Sequence, residues 1–252
     1  MLKGKRGLVV GIANEHSIAA GCAAAFHAAG ADIAVTYANE TSRPFVAPVA
    51  ARLKAPLFLP MDVEVPGQME AVFAEIERLW DKLDFVLHSI AFCPRGDLHG
   101  PVSECSQEGF AQAMDISVHS LIRMTRLAIP LMPEGGSILT MSYYGAEKVV
   151  EHYNIMGPVK SALEGTVRYL AAELGPKQIR VNAISPGPLQ TRAGSGIAHF
   201  DELIDAARRR APERELVSIH DVGNMAAGLV SDLSCKVTGN TAYVDGGYHV
   251  LA

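Results

Sequence analysis

A single-domain, doubly wound α/β fold with a parallel sheet of about seven strands is predicted by two patterns in the sequence. Short apolar, β-branched runs recur along the chain, and the stretches between them carry apolar residues at helical spacing. No internal repeat, low-complexity tract or long Pro/Gly/Ser linker divides the 252 residues, and open sheets reach this length as one unit. The domain is expected to span residues 1–252.

Strands are expected, in order, at 7–13 (GLVVGIA), 31–37 (ADIAVTY), 55–61 (APLFLPM), 84–90 (DFVLHSI), 136–142 (GSILTMS), 178–185 (QIRVNAIS) and 241–247 (TAYVDGG). Runs this short and this rich in β-branched residues, separated by amphipathic segments, form parallel strands with crossover helices. Helices are expected at Ser17 to Ala29, Gly67 to Asp81, Gln107 to Pro130 and Tyr153 to Gly175. Between Ser185 and a helix starting near His220 lie about 34 residues, more than a helix connection needs. This insert carries Gly194, Ser195 and Gly196 and then an amphipathic stretch, and it is expected to form a lid at about 190–212 over an active site.

Composition narrows the function. With 49% hydrophobic and 19% charged residues the chain can bury a large core and fold alone. The net charge of −5 is spread rather than gathered into runs, which leaves no basic footprint for nucleic acid or a membrane surface. A small-molecule partner is expected instead. Cys22, Cys93, Cys105 and Cys235 show neither CxxC pairing nor metal-ligand spacing, so free thiols in a reducing compartment and no metal are expected. The N-terminal apolar run stops at Asn14 and no eighteen-residue apolar span occurs elsewhere, which points to the cytoplasm.

The first strand runs into Gly11-Ile12-Ala13-Asn14-Glu15-His16-Ser17-Ile18-Ala19-Ala20-Gly21 and a helix. In a Rossmann-like sheet this turn is where a dinucleotide pyrophosphate rests on backbone N–H groups. The spacing departs from GxGxxG, and by itself it also reads as an ordinary turn. Gly11 would permit the tight turn, Ser17 would cap the helix and offer its hydroxyl to phosphate, and Gly21 would bring helix and strand together. Asp62-Val63 follows the third strand, with Asp62 either accepting from an adenine amino group or capping a helix. His88-Ser89-Ile90-Ala91-Phe92 ends the fourth, with small residues where backbone must approach a ribose. After the second strand, Tyr37-Ala38-Asn39-Glu40 offers no Arg or Lys before Arg43. A 2′-phosphate needs a nearby cation, so NADH is expected rather than NADPH.

Two candidate catalytic pairs compete after the fifth strand. Tyr144 and Lys148 have the Tyr-x-x-x-Lys spacing that one helical turn brings onto one face. Tyr153 and Lys160 are seven residues apart, two turns of a continuous helix and again one face. The run after Lys160, Ser161-Ala162-Leu163-Glu164-Gly165, leading to Ala171-Ala172-Glu173-Leu174 and Ile179-Arg180-Val181-Asn182, resembles the run after the catalytic lysine of the short-chain dehydrogenases. Four residues before Lys160, where those enzymes carry tyrosine, stands Met156.

The Tyr-x6-Lys spacing, with Tyr143 ten positions before Tyr153, resembles the bacterial enoyl-acyl carrier protein reductases, a divergent branch of that superfamily. The likeness extends to the glycine turn with Ser17-Ile18-Ala19, Asp62-Val63, His88-Ser89-Ile90, Ser142-Tyr143 and Gly145-Ala146-Glu147. It continues through Tyr153-Asn154, Met156-Gly157, Gly187 to Thr191 and Val244 to Tyr248. It implies NADH-dependent reduction of a trans-2-enoyl thioester on acyl carrier protein. Tyr153 would donate to the thioester carbonyl, Lys160 would hold the nicotinamide ribose hydroxyls, and Tyr143 would shape the acyl pocket. It further implies cofactor contacts from Ser17, Ile18, Asp62, Val63, Ile90, Leu189, Gln190, Thr191, Arg192 and Ala193. Cys93 and Met156 would stand beside the substrate, and the protein would be a homotetramer using Gln107 to Pro130 and Tyr153 to Gly175.

The chain departs from that family's pattern at Ala91, which replaces a glycine, at Pro186, at Cys93-Pro94 and at Glu151-His152. Arg208 to Arg210, flanked by acidic residues, reads as a solvated helix face, with contact to an acidic carrier as the alternative. Two other functions compete on the same fold. A carbonyl or alcohol oxidoreductase using NAD(P) would need Tyr144 and Lys148 in its site, and an inactive cofactor-binding regulator would bind NADH without turnover.

Overall fold

The computed structural model describes residues 1–189, 191 and 200–251. Seven parallel strands form one sheet: β1 (Arg6–Val10), β2 (Asp32–Tyr37), β3 (Phe58–Pro60), β4 (Phe85–His88), β5 (Gly136–Met141), β6 (Ile179–Pro186) and β7 (Thr241–Val244). Their order is β3-β2-β1-β4-β5-β6-β7, the doubly wound arrangement expected from the sequence. The order reverses between β1 and β4, where Val9 pairs Leu87 and Val10 pairs His88. Loops above neighbouring strand ends diverge at such a reversal and leave a crevice for a ligand.

Helices α1 (Ile18–Ala28), α2 (Arg43–Arg52), α3 (Gln68–Trp80), α4 (Arg95–His99), α5 (Gln107–Met114), α6 (Ser120–Ala128), α7 (Met156–Leu174), α8 (Phe200–Arg210) and α9 (Ile219–Val230) complete the described chain. The two-residue period of the strands divides the core. Leu8, Val86, Ile138 and Val181 face α3, α6 and α7, while Val9, Leu87, Leu139 and Ile184 face α1, α2 and α9. Because both faces are covered, the central strands bury apolar residues toward both sides instead of alternating with exposed polar ones. Phe26 of α1 and Phe85 of β4 meet edge to face at 4.8 Å, both fully buried, and truncating either to alanine would cost about 3–5 kcal/mol.

The structure corrects three local expectations. The helix expected from Gln107 to Pro130 is α5 and α6 joined by a π turn at Asp115–His119. The extra residue re-aims two serines: Ser117 Oγ accepts from the Phe92 N–H at 3.0 Å, and Ser120 Oγ meets His88 Nε2 at 2.8 Å. The helix expected from Tyr153 starts at Met156, because His152 and Asn154 hold left-handed backbone (φ 64° and 45°) on either side of Tyr153. Gly21 brings α1 not against a strand but against α9, since a Cβ there would strike the Ile219 carbonyl; Gly223 of α9 meets the Gly21 carbonyl in turn. Among the described residues no helix is long and apolar enough to cross a membrane.

Candidate active site

A cavity of about 600 Å³ opens above the C-terminal ends of the strands, spanning the β1/β4 reversal. Each strand end except that of β7 contributes. Gly11 and Ile18 come from the β1–α1 turn, Asp62 and Val63 follow β3, Ile90 and Cys93 follow β4, and Leu189 and Thr191 follow β6. Tyr143, Tyr153, Met156 and Lys160 close the opposite wall. The structure therefore gathers at one cavity every described residue expected there except Ser17. Gln190, Arg192 and Ala193 lie outside the described residues, as does the part of the expected lid at 192–199.

The β1–α1 turn is built for close approach. Gly11 has φ 101°, and a Cβ on it would strike the Ser89 carbonyl at the end of β4, so no other residue fits without shifting that backbone. Ser17 caps α1, its Oγ accepting from the Ala20 N–H at 3.3 Å. The hydroxyl proton goes to the Asn14 carbonyl at 2.7 Å, so it is engaged within the turn. Asp62 does not cap α3, whose N-cap is Gly67; its Oδ1 accepts from the Glu64 N–H at 3.0 Å. The wall holds alanines at positions 13, 38 and 91. A glycine cradle at a helix N-terminus, a small-residue wall and an acidic residue after β3 together fit a dinucleotide.

After β2 the charges are already matched. Tyr37 donates to Glu40 Oε1 at 3.0 Å, Arg43 pairs Glu40 Oε2 at 3.2 Å, and the Arg43 guanidinium lies 5.7 Å from the centre of the Tyr37 ring. The cation nearest the expected 2′-position is thus held by a carboxylate.

The opposite wall holds one of the two candidate pairs. Tyr153 is 7% exposed, and its ring fits because position 145 is glycine: a Cβ there would strike it. It lies edge to face with Tyr143, ring centroids 4.8 Å apart. Burial pushes both phenols well above their ordinary range, so both remain protonated donors at neutral pH. Lys160 is 5% exposed, donates to the Met141 carbonyl at 2.7 Å, and is brought down to about 8 by burial, against which Glu164 pulls upward. Tyr144 instead packs against Tyr243 and Tyr248, at 6.4 and 6.0 Å, and Lys148 is exposed. Neither lines the cavity.

Leu98 of α4 and Ile116 of the π turn also line the cavity. Helical periodicity gives no sign of Ile116, which sits in the π turn between α5 and α6. His88, by contrast, is fully buried below the cavity between Thr140 Oγ1 at 2.9 Å and Ser120 Oγ at 2.8 Å. Ser120 donates to the Ile116 carbonyl, so it accepts from His88 Nε2–H, and Nδ1 accepts from Thr140. Burial brings His88 down to about 3 and keeps it neutral.

A doubly wound parallel sheet with a dinucleotide cradle at its reversal, and a tyrosine and lysine facing it, defines a nicotinamide-dependent oxidoreductase of the short-chain dehydrogenase type. Residues 11–249 match the family model described as enoyl-(acyl carrier protein) reductase, and the chain belongs to that family. It is 47% identical to enoyl-[acyl-carrier-protein] reductase [NADH] 1 of Rhizobium meliloti, covering all of this chain and 92% of the relative. To the Escherichia coli enoyl-[acyl-carrier-protein] reductase [NADH] it is 42% identical, over 100% and 96% of the two chains. The Anaplasma phagocytophilum reductase solved with NAD superposes with a TM-score of 0.96 at 45% identity, covering 100% and 96%. The Bacillus cereus reductase solved with NADP⁺ and an indole naphthyridinone gives 0.97 at 42%, covering 100% and 98%.

Proposed function

We propose that this protein is an NADH-dependent enoyl-acyl carrier protein reductase that saturates trans-2-enoyl thioesters in fatty-acid elongation, with Tyr153, Lys160 and Tyr143 as its working side chains. The observation that carries the assignment of residues is the convergence of Tyr143, Tyr153 and Lys160 on one cavity, with Met156 where ordinary dehydrogenases carry tyrosine.

When bound, NADH supplies a hydride to the substrate's β carbon. Negative charge then develops on the thioester carbonyl oxygen, and a fixed donor at that oxygen lowers the barrier more than it tightens ground-state binding. Tyr153 is that donor: buried, protonated and held between two left-handed residues. Tyr143 packs against its ring and limits its rotation. Lys160 holds the nicotinamide ribose hydroxyls, and Gly11, Ile18, Asp62, Val63, Ile90, Leu189 and Thr191 line the cofactor's course, with Ser17 engaged within the turn. The cofactor contacts that the resemblance implies for Gln190, Arg192 and Ala193 lie outside the described residues, and of the lid proposed at about 190–212 the described part is α8 (Phe200–Arg210). Cys93 and Met156 form the apolar wall beside the acyl chain.

The whole chain acts as one domain, and the working form is a cytoplasmic homotetramer. Phe110 of α5, Ile122 of α6 and Tyr169 of α7, each at least 40% exposed, suit its interfaces. Purified protein should consume NADH with crotonyl and longer enoyl thioesters and leave simple carbonyl substrates untouched. Turnover of carbonyls alone would instead support the ordinary dehydrogenase reading, and NADH binding without any turnover a regulator.

A further inference from the structure

The Lys160 ammonium is buried, and its one hydrogen bond named above goes to a neutral carbonyl. A buried cation without compensating charge is costly to keep ionised. One helical turn further along α7 stands a second buried ionisable group, Glu164, also 5% exposed. Residues four apart share one helix face. Both side chains reach the end of β5 and grip consecutive residues there: Lys160 the Met141 carbonyl at 2.7 Å, Glu164 the Ser142 hydroxyl at 2.5 Å. The next residue is Tyr143.

We propose that Glu164 is a positioning residue of the reaction, the buried counter-charge that keeps Lys160 protonated and, through Ser142, fixes the strand end that presents Tyr143. The proposal rests on the role given to Lys160 above.

The surrounding groups leave that task to Glu164. From β4, His88 faces Lys160 but is neutral; from the turn before α7 and from the end of β5, Tyr153 and Tyr143 are protonated phenols. Glu164 itself faces the Ser142 hydroxyl from β5, Thr241 from β7, Arg168 from its own helix and Glu147 from the loop after Tyr143. Burial, helped by the like charge of Glu147, holds Glu164 above the ordinary carboxylate range, and Ser142, Arg168 and Thr241 pull back toward its ionised form. Among the described residues, Glu164 is the carboxylate whose charge acts on Lys160.

The test follows NADH affinity by fluorescence titration of the enzyme across alkaline pH, alongside kcat/KM. In the wild type, affinity should weaken as pH rises through about 8, where Lys160 loses its proton, and Lys160→Gln should abolish that limb. A wild-type limb that is missing, or that survives in Lys160→Gln, overturns the role of Lys160 and this proposal with it.

Glu164→Gln keeps an acceptor for Ser142 and removes only the charge, so its limb should move to lower pH by about one unit or more. Glu164→Asp, which restores the charge, should return the limb toward its wild-type position. If Glu164→Gln does not fold, the double variant Ser142→Ala/Glu164→Ala removes donor and acceptor together, leaves neither orphaned, and should show the same displacement. A limb that disappears in Lys160→Gln but stays at its wild-type pH when Glu164 loses its charge overturns the proposal while leaving Lys160's role intact.

Discussion

Tyr143 and Tyr153 meet edge to face, with ring centroids 4.8 Å apart and planes 65° apart. One comes from the end of β5 and the other from the turn before α7, and each blocks the other's rotation. Gly145 leaves the room that the Tyr153 ring fills. Preorganisation of this kind removes the cost of orienting a donor when charge develops on the substrate.

Gly11 is expected to tolerate no side chain. Its φ of 101° and the Ser89 carbonyl at the Cβ position both oppose Gly11→Ala, which should cost about 1–3 kcal/mol of stability. Thermal unfolding should show the loss, and NADH titration should show affinity falling with it. An unchanged melting temperature and affinity would mean that the turn is not the cradle described.

Glu40 holds Arg43 at 3.2 Å. Glu40→Gln removes the carboxylate that would repel a 2′-phosphate and releases the guanidinium to meet one. The ratio of kcat/KM for NADPH over NADH should rise about tenfold, the worth of one charge-assisted hydrogen bond. A ratio that does not move would show that Arg43 cannot reach the phosphate.

His88 makes acid stability testable. Buried and neutral, it sits at about 3 against an ordinary 6.5. Between those values the unfolded chain takes up a proton that the native protein refuses. Its contribution is therefore intact above pH 6.5 and is lost as pH falls from 6.5 toward 3, by up to about 1.4 kcal/mol per unit. Urea unfolding across that range should show the slope, and His88→Gln should flatten it. An equal slope in both proteins would assign the acid sensitivity elsewhere.

The sheet was legible because its central strands are buried on both faces and read as short apolar runs. Helix α2 was less so: Pro48 interrupts it and no strong apolar stripe marks it. That Tyr143, Tyr153 and Lys160 share one cavity wall was legible through Met156, which has no titratable proton where the short-chain dehydrogenases carry tyrosine. The wall's backbone was not, because the left-handed residues His152 and Asn154 are held by tertiary contacts such as Asn154 Nδ2 donating to the Leu98 carbonyl at 2.9 Å. The π turn was hidden for a related reason. Its extra residue follows from what Ser117 and Ser120 bond across the fold, and apolar spacing carries no trace of such partners.

Tyr153, which lines the cavity, is proposed as the donor to the thioester carbonyl in place of Tyr144, which does not line it. The most direct measurement compares kcat for an enoyl thioester in Tyr153→Phe and Tyr144→Phe, each shown by thermal unfolding to be folded. Tyr153→Phe should lose about 100-fold to 1,000-fold, the worth of one transition-state donor, and Tyr144→Phe should turn over at near the wild-type rate. A dead Tyr144→Phe beside an active Tyr153→Phe would contradict that assignment.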